Sequence, residues 1–181
     1  FEFVEFASAE PQKLRDLFLQ MGYTHVANHK SKLIELWQQG DITYVLNADP
    51  DSFAAGFVQE HGPCAPSMGW RVVDARQALA HVVEQGAEEY TGAGKVLDVP
   101  AIKGIGGSLI YFVDQYYDTS PYNEEYNWIA QSKPEGVGFY YLDHLTHNVF
   151  KGNMDVWFKF YGDLFNFREI RFFDIQGNFT G

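Results

Sequence analysis

Apolar and polar positions alternate along residues 1–8 (FEFVEFAS), which predicts a strand with one buried face. Glu10-Pro11 closes it, and Pro11 suits the first turn of a helix. Leu14, Leu17, Phe18 and Met21 then recur at spacings of three and four, the stripe of a helix over 11–21 that Gly22 ends. Three strands are expected over 23–29, 33–38 and 41–47, with Gln39-Gly40-Asp41 as a tight turn. The same order returns after a short helix over 52–61 capped by Ser52 or Asp51 and a loop, HGPCAPS. A strand over 68–73 leads to Asp74 as cap. Ala75, Ala78, Leu79, Val82 and Val83 form the helical stripe, Gly86 is the stop, and strands follow near 87–91, 96–100 and 108–113. A third run begins with a strand over 139–149, turns at Gly152-Asn153, and continues as a helix striped by Met154, Trp157, Phe158, Tyr161 and Phe165. A strand over 168–175 follows it.

The pattern is an internal repeat. Its helices leave through similar joins: Met21-Gly22-Tyr23, Gln85-Gly86-Ala87 and Phe165-Asn166-Phe167. Two full β-α-β-β-β units pair into a domain over 1–114. The polar stretch 115–138, with Pro121 and Pro134, reads as a linker. Residues 139–181 read as the β-α-β start of a second domain, its last two strands expected beyond Gly181.

Bulk properties narrow the function classes. The chain has 181 residues, 46% of them hydrophobic, so a sizeable core is available. Aromatics at 17% suit aromatic-rich strands on helices and equally an aromatic-lined pocket. A net charge of −11 disfavours nucleic acid and anionic membrane as partners. No apolar run approaches the length of a membrane span, and no signal peptide is visible, although the chain opens on Phe1. The single cysteine, Cys64, excludes an intrachain disulfide and fits a reducing, cytoplasmic setting. Asn178-Phe179-Thr180 matches a glycosylation sequon, read as chance without secretion.

Candidate chemistry is sparse. Cys64 has no base nearby in sequence. His25 and His29 would share a strand face roughly 13 Å apart, too far for one ion, and read as exposed strand histidines. Lys103-Gly104-Ile105-Gly106-Gly107 precedes a strand and not a helix, so it reads as a turn or bulge and not a phosphate loop. In a regular strand His144 shares a face with Thr146 and Asn148, opposite Asp143, Leu145 and His147, so His144 and His147 should not bind one ion. Strand periodicity leaves His144 open as a structural, hydrogen-bonded residue or a metal ligand.

The repeat resembles the vicinal-oxygen-chelate superfamily of glyoxalase I, bleomycin-resistance proteins and extradiol dioxygenases. That resemblance implies an α+β fold of paired βαβββ modules. Four blocks are more specific: residues 1–7 (FEFVEFA), 100–107 (PAIKGIGG), 143–149 (DHLTHNV) and 164–169 (LFNFRE). They resemble bacterial 4-hydroxyphenylpyruvate dioxygenases along essentially the whole chain. The resemblance implies a non-haem Fe(II) enzyme with two histidines and one carboxylate, turning 4-hydroxyphenylpyruvate and O₂ into homogentisate and CO₂ in tyrosine and phenylalanine catabolism. It makes His144 the first iron ligand and puts the other two ligands and the substrate pocket beyond Gly181. Phe3 stands where the third unit has His144, as in a first domain that has lost its metal and serves structure and homo-oligomeric assembly. The alternatives are a 4-hydroxymandelate synthase-like enzyme and a non-catalytic binding protein of the bleomycin-resistance kind.

Overall fold

The computed structural model describes residues 1–172. Eight strands form one sheet. Strand β1 is Phe3–Ala7, β2 Thr24–His29, β3 Ile34–Gln39, β4 Ile42–Asn47, β5 Cys64–Arg71, β6 Ala101–Lys103, β7 Leu109–Val113 and β8 Tyr126–Trp128. Their order is β6-β7-β5-β1-β4-β3-β2-β8. At the centre β1 and β5, the first strands of the two units, pair antiparallel, Glu5 opposite Ser67. Each has its own unit's last strand parallel on the other side, β4 beside β1 and β7 beside β5. The two units are therefore mirrored along the sheet, as the repeat predicts.

Register shows which face each residue takes. Val4 pairs with Tyr44 and Met68, and Met68 with Ile110, so these share a face. Helix α1 (Pro11–Gln20) covers one half of that face through Phe18, packed with Tyr23, Trp37, Ile42 and Leu46. Helix α3 (Ala75–Glu84) covers the other half, with Val82 on Met68, Ile110 and Phe112. The opposite face, led by Phe3, Val45, Leu109 and Tyr111, is a continuous core across both units. Gly69 makes room for Phe3 there: a Cβ at Gly69 would lie 2.4 Å from the Phe3 ring.

The helix ends follow the predicted chemistry. Asp74 accepts a hydrogen bond from the Gln77 amide at 2.8 Å. Ser52 accepts one from Ala55 at 3.0 Å, starting α2 (Phe53–His61). Gly22 and Gly86 both have left-handed backbone. The amides of Tyr23 and Ala87 reach back to the Phe18 and Val82 carbonyls, the Schellman closure. Asn166, with φ 56°, ends the third long helix with a simpler bond to the Gly162 carbonyl.

Several expectations give way. The HGPCAPS stretch is not wholly a loop, because β5 already begins at Cys64, where Ala7 supplies a partner. No strand forms over 96–100. Val96 and Leu97, consecutive and both 1% exposed, plug the shared core instead, a burial that alternation cannot supply. The strand over 87–91 shrinks to one bridge, Glu89 to Ile102, and the next strand is β6. His25 and His29 are not exposed strand histidines. A bulge between His25 and Ala27 breaks their shared parity. His25 stacks on Trp37 at 5.0 Å, whereas the His29 ring accepts the Ser31 and Lys32 amides and lies edge-on to Tyr126.

The polar stretch after β7 contains structure of its own. Helix α4 (Tyr122–Glu125) and edge strand β8 place Tyr122 and Tyr126 in the shared core, with β8 paired to β2. Beyond it the chain is strapped to the β3–β4 turn. The Lys133 and Val137 amides donate to the Gln38 and Gln39 side chains, at 2.9 and 2.7 Å, and the Asp41 amide donates to the Tyr140 carbonyl at 2.9 Å.

The expected strand over 139–149 has no ladder partner. A strand needs a neighbour to hold its amides and carbonyls. Both edges of β1 and β5 are taken, and the sheet ends at β6 and β8 without pairing to it. Helix α5 (Met154–Phe165) does form, and packs through Leu164, Phe160, Tyr161 and Phe165 onto the face covered by α3. Residues 168–172 are not a strand; 173–175 and the Asn178 sequon lie outside the described residues.

Candidate functional site

His144 lies on the extended segment before α5, exposed at its side chain. Its Nδ1 is 2.7 Å from Asp143 Oδ2, so the two side chains meet and are not on opposite strand faces. With the proton on Nδ1, the ring donates to the carboxylate and leaves the Nε2 lone pair outward. That is the tautomer a carboxylate neighbour sets for a metal-binding imidazole. Among the described residues no group of three or more His, Cys, Asp or Glu is placed to hold an ion. His144 fits one position of an Fe(II) site by its donor chemistry, and the described residues contribute no set around it.

His147 goes elsewhere. Its ring is 6.0 Å from Tyr161 and edge-on to it, and burial holds its pKa below the usual imidazole value, so it is neutral at pH 7. It lines a cleft of about 510 Å³ with Met68, Trp70, Met154, Phe158 and Tyr161. Trp70 Nε1 and Tyr161 Oη are buried there without a hydrogen-bond partner among the described residues. Burial pushes the Tyr161 phenol up to about 12. The cleft was not visible in the sequence, because Trp70 comes from the second unit and Tyr161 from the third; no local spacing joins them. Separation of His144 from His147 was expected, but from strand parity; here it comes from one ring facing solvent and the other meeting Tyr161.

At the start of β1, Phe3 lies 5.6 Å from Tyr111, ring to ring. Beside it Glu5 is buried, accepting from Asn47 Nδ2 at 2.7 Å and from Ser67 Oγ. Burial raises its carboxyl pKa, and these two donors oppose the rise. Cys64 is half-buried, its thiol pushed up by burial and by Glu5, which makes it a poorer nucleophile.

Two mirrored units on one sheet, the first β-α-β-β-β and the second β-α-β-β with one added bridge, define an α+β protein of the vicinal-oxygen-chelate type. A family model described as "Hydroxyphenylpyruvate dioxygenase, HPPD, N-terminal" matches residues 1–127. The chain belongs to the 4-hydroxyphenylpyruvate dioxygenase family. It is 46% identical to the 4-hydroxyphenylpyruvate dioxygenase of Pseudomonas aeruginosa, over all of this chain and 53% of that protein. It is 47% identical to "Hemolysin VllY" of Vibrio vulnificus over the same shares. Among solved structures, a xylose isomerase-like TIM barrel/4-hydroxyphenylpyruvate dioxygenase fusion protein superposes with a TM-score of 0.84 at 31% identity. That match covers 92% of this chain and 28% of the fusion protein. The chain thus spans about half the length of the curated relatives it matches. Among the described residues no helix is long and apolar enough to cross a membrane.

Proposed function

We propose that this chain is the N-terminal part of a non-haem Fe(II) dioxygenase that converts 4-hydroxyphenylpyruvate and O₂ to homogentisate and CO₂. The observation that carries this reading is the 46% identity, along the whole chain, to a relative named for that activity. His144 is one iron ligand, through Nε2, with Asp143 holding its other nitrogen. The remaining histidine and the carboxylate belong to residues beyond Gly181. When bound, Fe(II) supplies the redox chemistry with O₂ that decarboxylates the keto acid and hydroxylates the ring. This chain's share is to present one imidazole in the right tautomer and to give the second domain a rigid sheet to stand on.

The test is His144→Ala in the full-length protein. Iron content should fall to background and homogentisate formation should cease. Normal iron with full turnover would remove His144 from the site. Asp143→Ala should weaken iron binding by about 10–100-fold while the metal can still be loaded at excess. Residues 1–181 alone, with one of three ligands, should give no measurable homogentisate.

A further inference from the structure

A second cavity, of about 350 Å³, opens beside Glu2, just before β1, and Arg71, the last residue of β5. Tyr117, Asp118, Trp128 and Lys133 also line it. Its two cations are committed. Arg71 Nε donates to Glu2 at 2.6 Å and Nη1 to Asp41 at 3.0 Å, and Lys133 Nζ donates to the other Asp41 oxygen at 2.7 Å. Both also lie over the Tyr117 ring, at 4.9 and 4.6 Å. Tyr117 and Lys133 hold left-handed backbone, φ 59° and 52°, a strained conformation that persists only where the surroundings fix it. These contacts fix it, so the wall they form is in place before any guest arrives.

The carboxylates are not all satisfied. Asp118 is bonded through its backbone carbonyl to Asn123, and its side chain has no partner among the described residues. Glu2 is only 5% exposed and gives one oxygen to Arg71. Its other oxygen has no partner among the described residues, yet it is not sealed off as the Tyr122 phenol is. Burial raises the Glu2 carboxyl above its usual range even with Arg71 bonded to it, the mark of a carboxylate short of positive charge. Among the charged groups that line the cavity or bond to those that do, Glu2, Asp41 and Asp118 face Arg71 and Lys133. The cavity lacks one positive charge. A metal ion does not suit the deficit, because no group of three or more His, Cys, Asp or Glu converges among the described residues. An anion would add to it. Trp128, 37% exposed, supplies an aromatic wall for an apolar body.

We propose that this cavity binds a small organic monocation, a primary ammonium on an aromatic or short apolar group. The ammonium donates to Asp118 and to the free Glu2 oxygen, and its apolar body lies against Trp128. The site is separate from the proposed iron chemistry, and neither stands or falls with the other.

Benzylammonium chloride is the probe, titrated calorimetrically into the full-length protein at low ionic strength. Saturable binding at one site per chain is expected. Benzyl alcohol, of the same shape without the charge, should bind at least ten times more weakly, and benzoate should not saturate. Asp118→Asn, a change of charge at an exposed side chain, should lose about ten-fold in affinity with its melting temperature retained. Should that variant not fold, Trp128→Ala should show the same loss. No saturable binding of benzylammonium at millimolar concentration would overturn the proposal. Equal binding of benzyl alcohol or benzoate, or undiminished binding in the folded variant, would overturn it too.

Discussion

Strand β1 and the segment 139–149 carry the same kind of signal. Each is rich in aromatic and β-branched residues, and each precedes an amphipathic helix that ends in a left-handed residue. One is the centre of the sheet, with hydrogen-bonded neighbours on both sides. The other makes no ladder and leaves Phe139, Tyr140 and Tyr141 exposed. A strand is a relation between segments and not a property of one. By contrast α1, α3 and α5 all form, because a helix satisfies its backbone internally and needs only an apolar surface for its stripe. Helix α5 finds that surface on Trp70 and the α3 side of the sheet; its Met154, Val156 and Phe158 stay exposed.

The strongest test of this contrast is a matched pair of aromatic truncations. Phe3→Ala should cost about 3–5 kcal/mol, read by denaturant unfolding, because it empties a fully buried position under Tyr111 and Gly69. Tyr141→Ala should fall within about 0.5 kcal/mol of the parent, as for an exposed side chain. Equal losses would mean that 139–149 is as buried as β1.

A second pair concerns the strap after β8. Gly22→Ala and Gly86→Ala both place a Cβ in left-handed backbone, at about 1–2 kcal/mol. At Gly22 the added methyl also lies 2.8 Å from Val137, whereas at Gly86 nothing lies within 4 Å. Gly22→Ala should therefore be the worse by about 1 kcal/mol, and should speed proteolysis around 133–142. Identical losses would place Val137 away from the helix end.

The smallest expected effect reports on the buried face. The folded-state pKa of Glu5 is raised above its ordinary 4.5, first by burial. The folded chain thus keeps this proton to a higher pH than the unfolded chain. The stability it contributes is full below the unfolded value and is lost as pH rises through the folded one. Glu5→Gln should leave stability unchanged at acid pH and raise it on the order of 1 kcal/mol at alkaline pH, about 2–4 °C in melting temperature. A gain that shrinks as pH rises would reverse the assigned direction.

Much of the fold was legible because short-range physics decides it. Pro11, Ser52 and Asp74 start helices where expected, and Gly22, Gly86 and Asn166 end them, since capping needs only residues a few positions apart. Repeat spacing likewise disclosed the mirrored units. The second unit's strands were less legible. Consecutive burial of Val96 and Leu97 depends on Tyr111, whose hydroxyl accepts the Val96 amide at 3.2 Å. Of the candidate site, His144 was named through resemblance. Its Asp143 contact and the seating of His147 against Tyr161 were not readable, since strand parity assumed a partner the segment does not have.

Sequence alone decided where helices begin and end, how many times the pattern recurs, and which family the blocks resemble, because each depends on neighbours along the chain. Tertiary structure decided the rest. It set which alternating segment becomes the sheet's centre and which stays unpaired, and it buried Glu5 beside Phe3. It also brought Trp70 to Tyr161. Those outcomes rest on contacts between residues far apart in sequence, and pairing, burial and desolvation exist only once the partners have met.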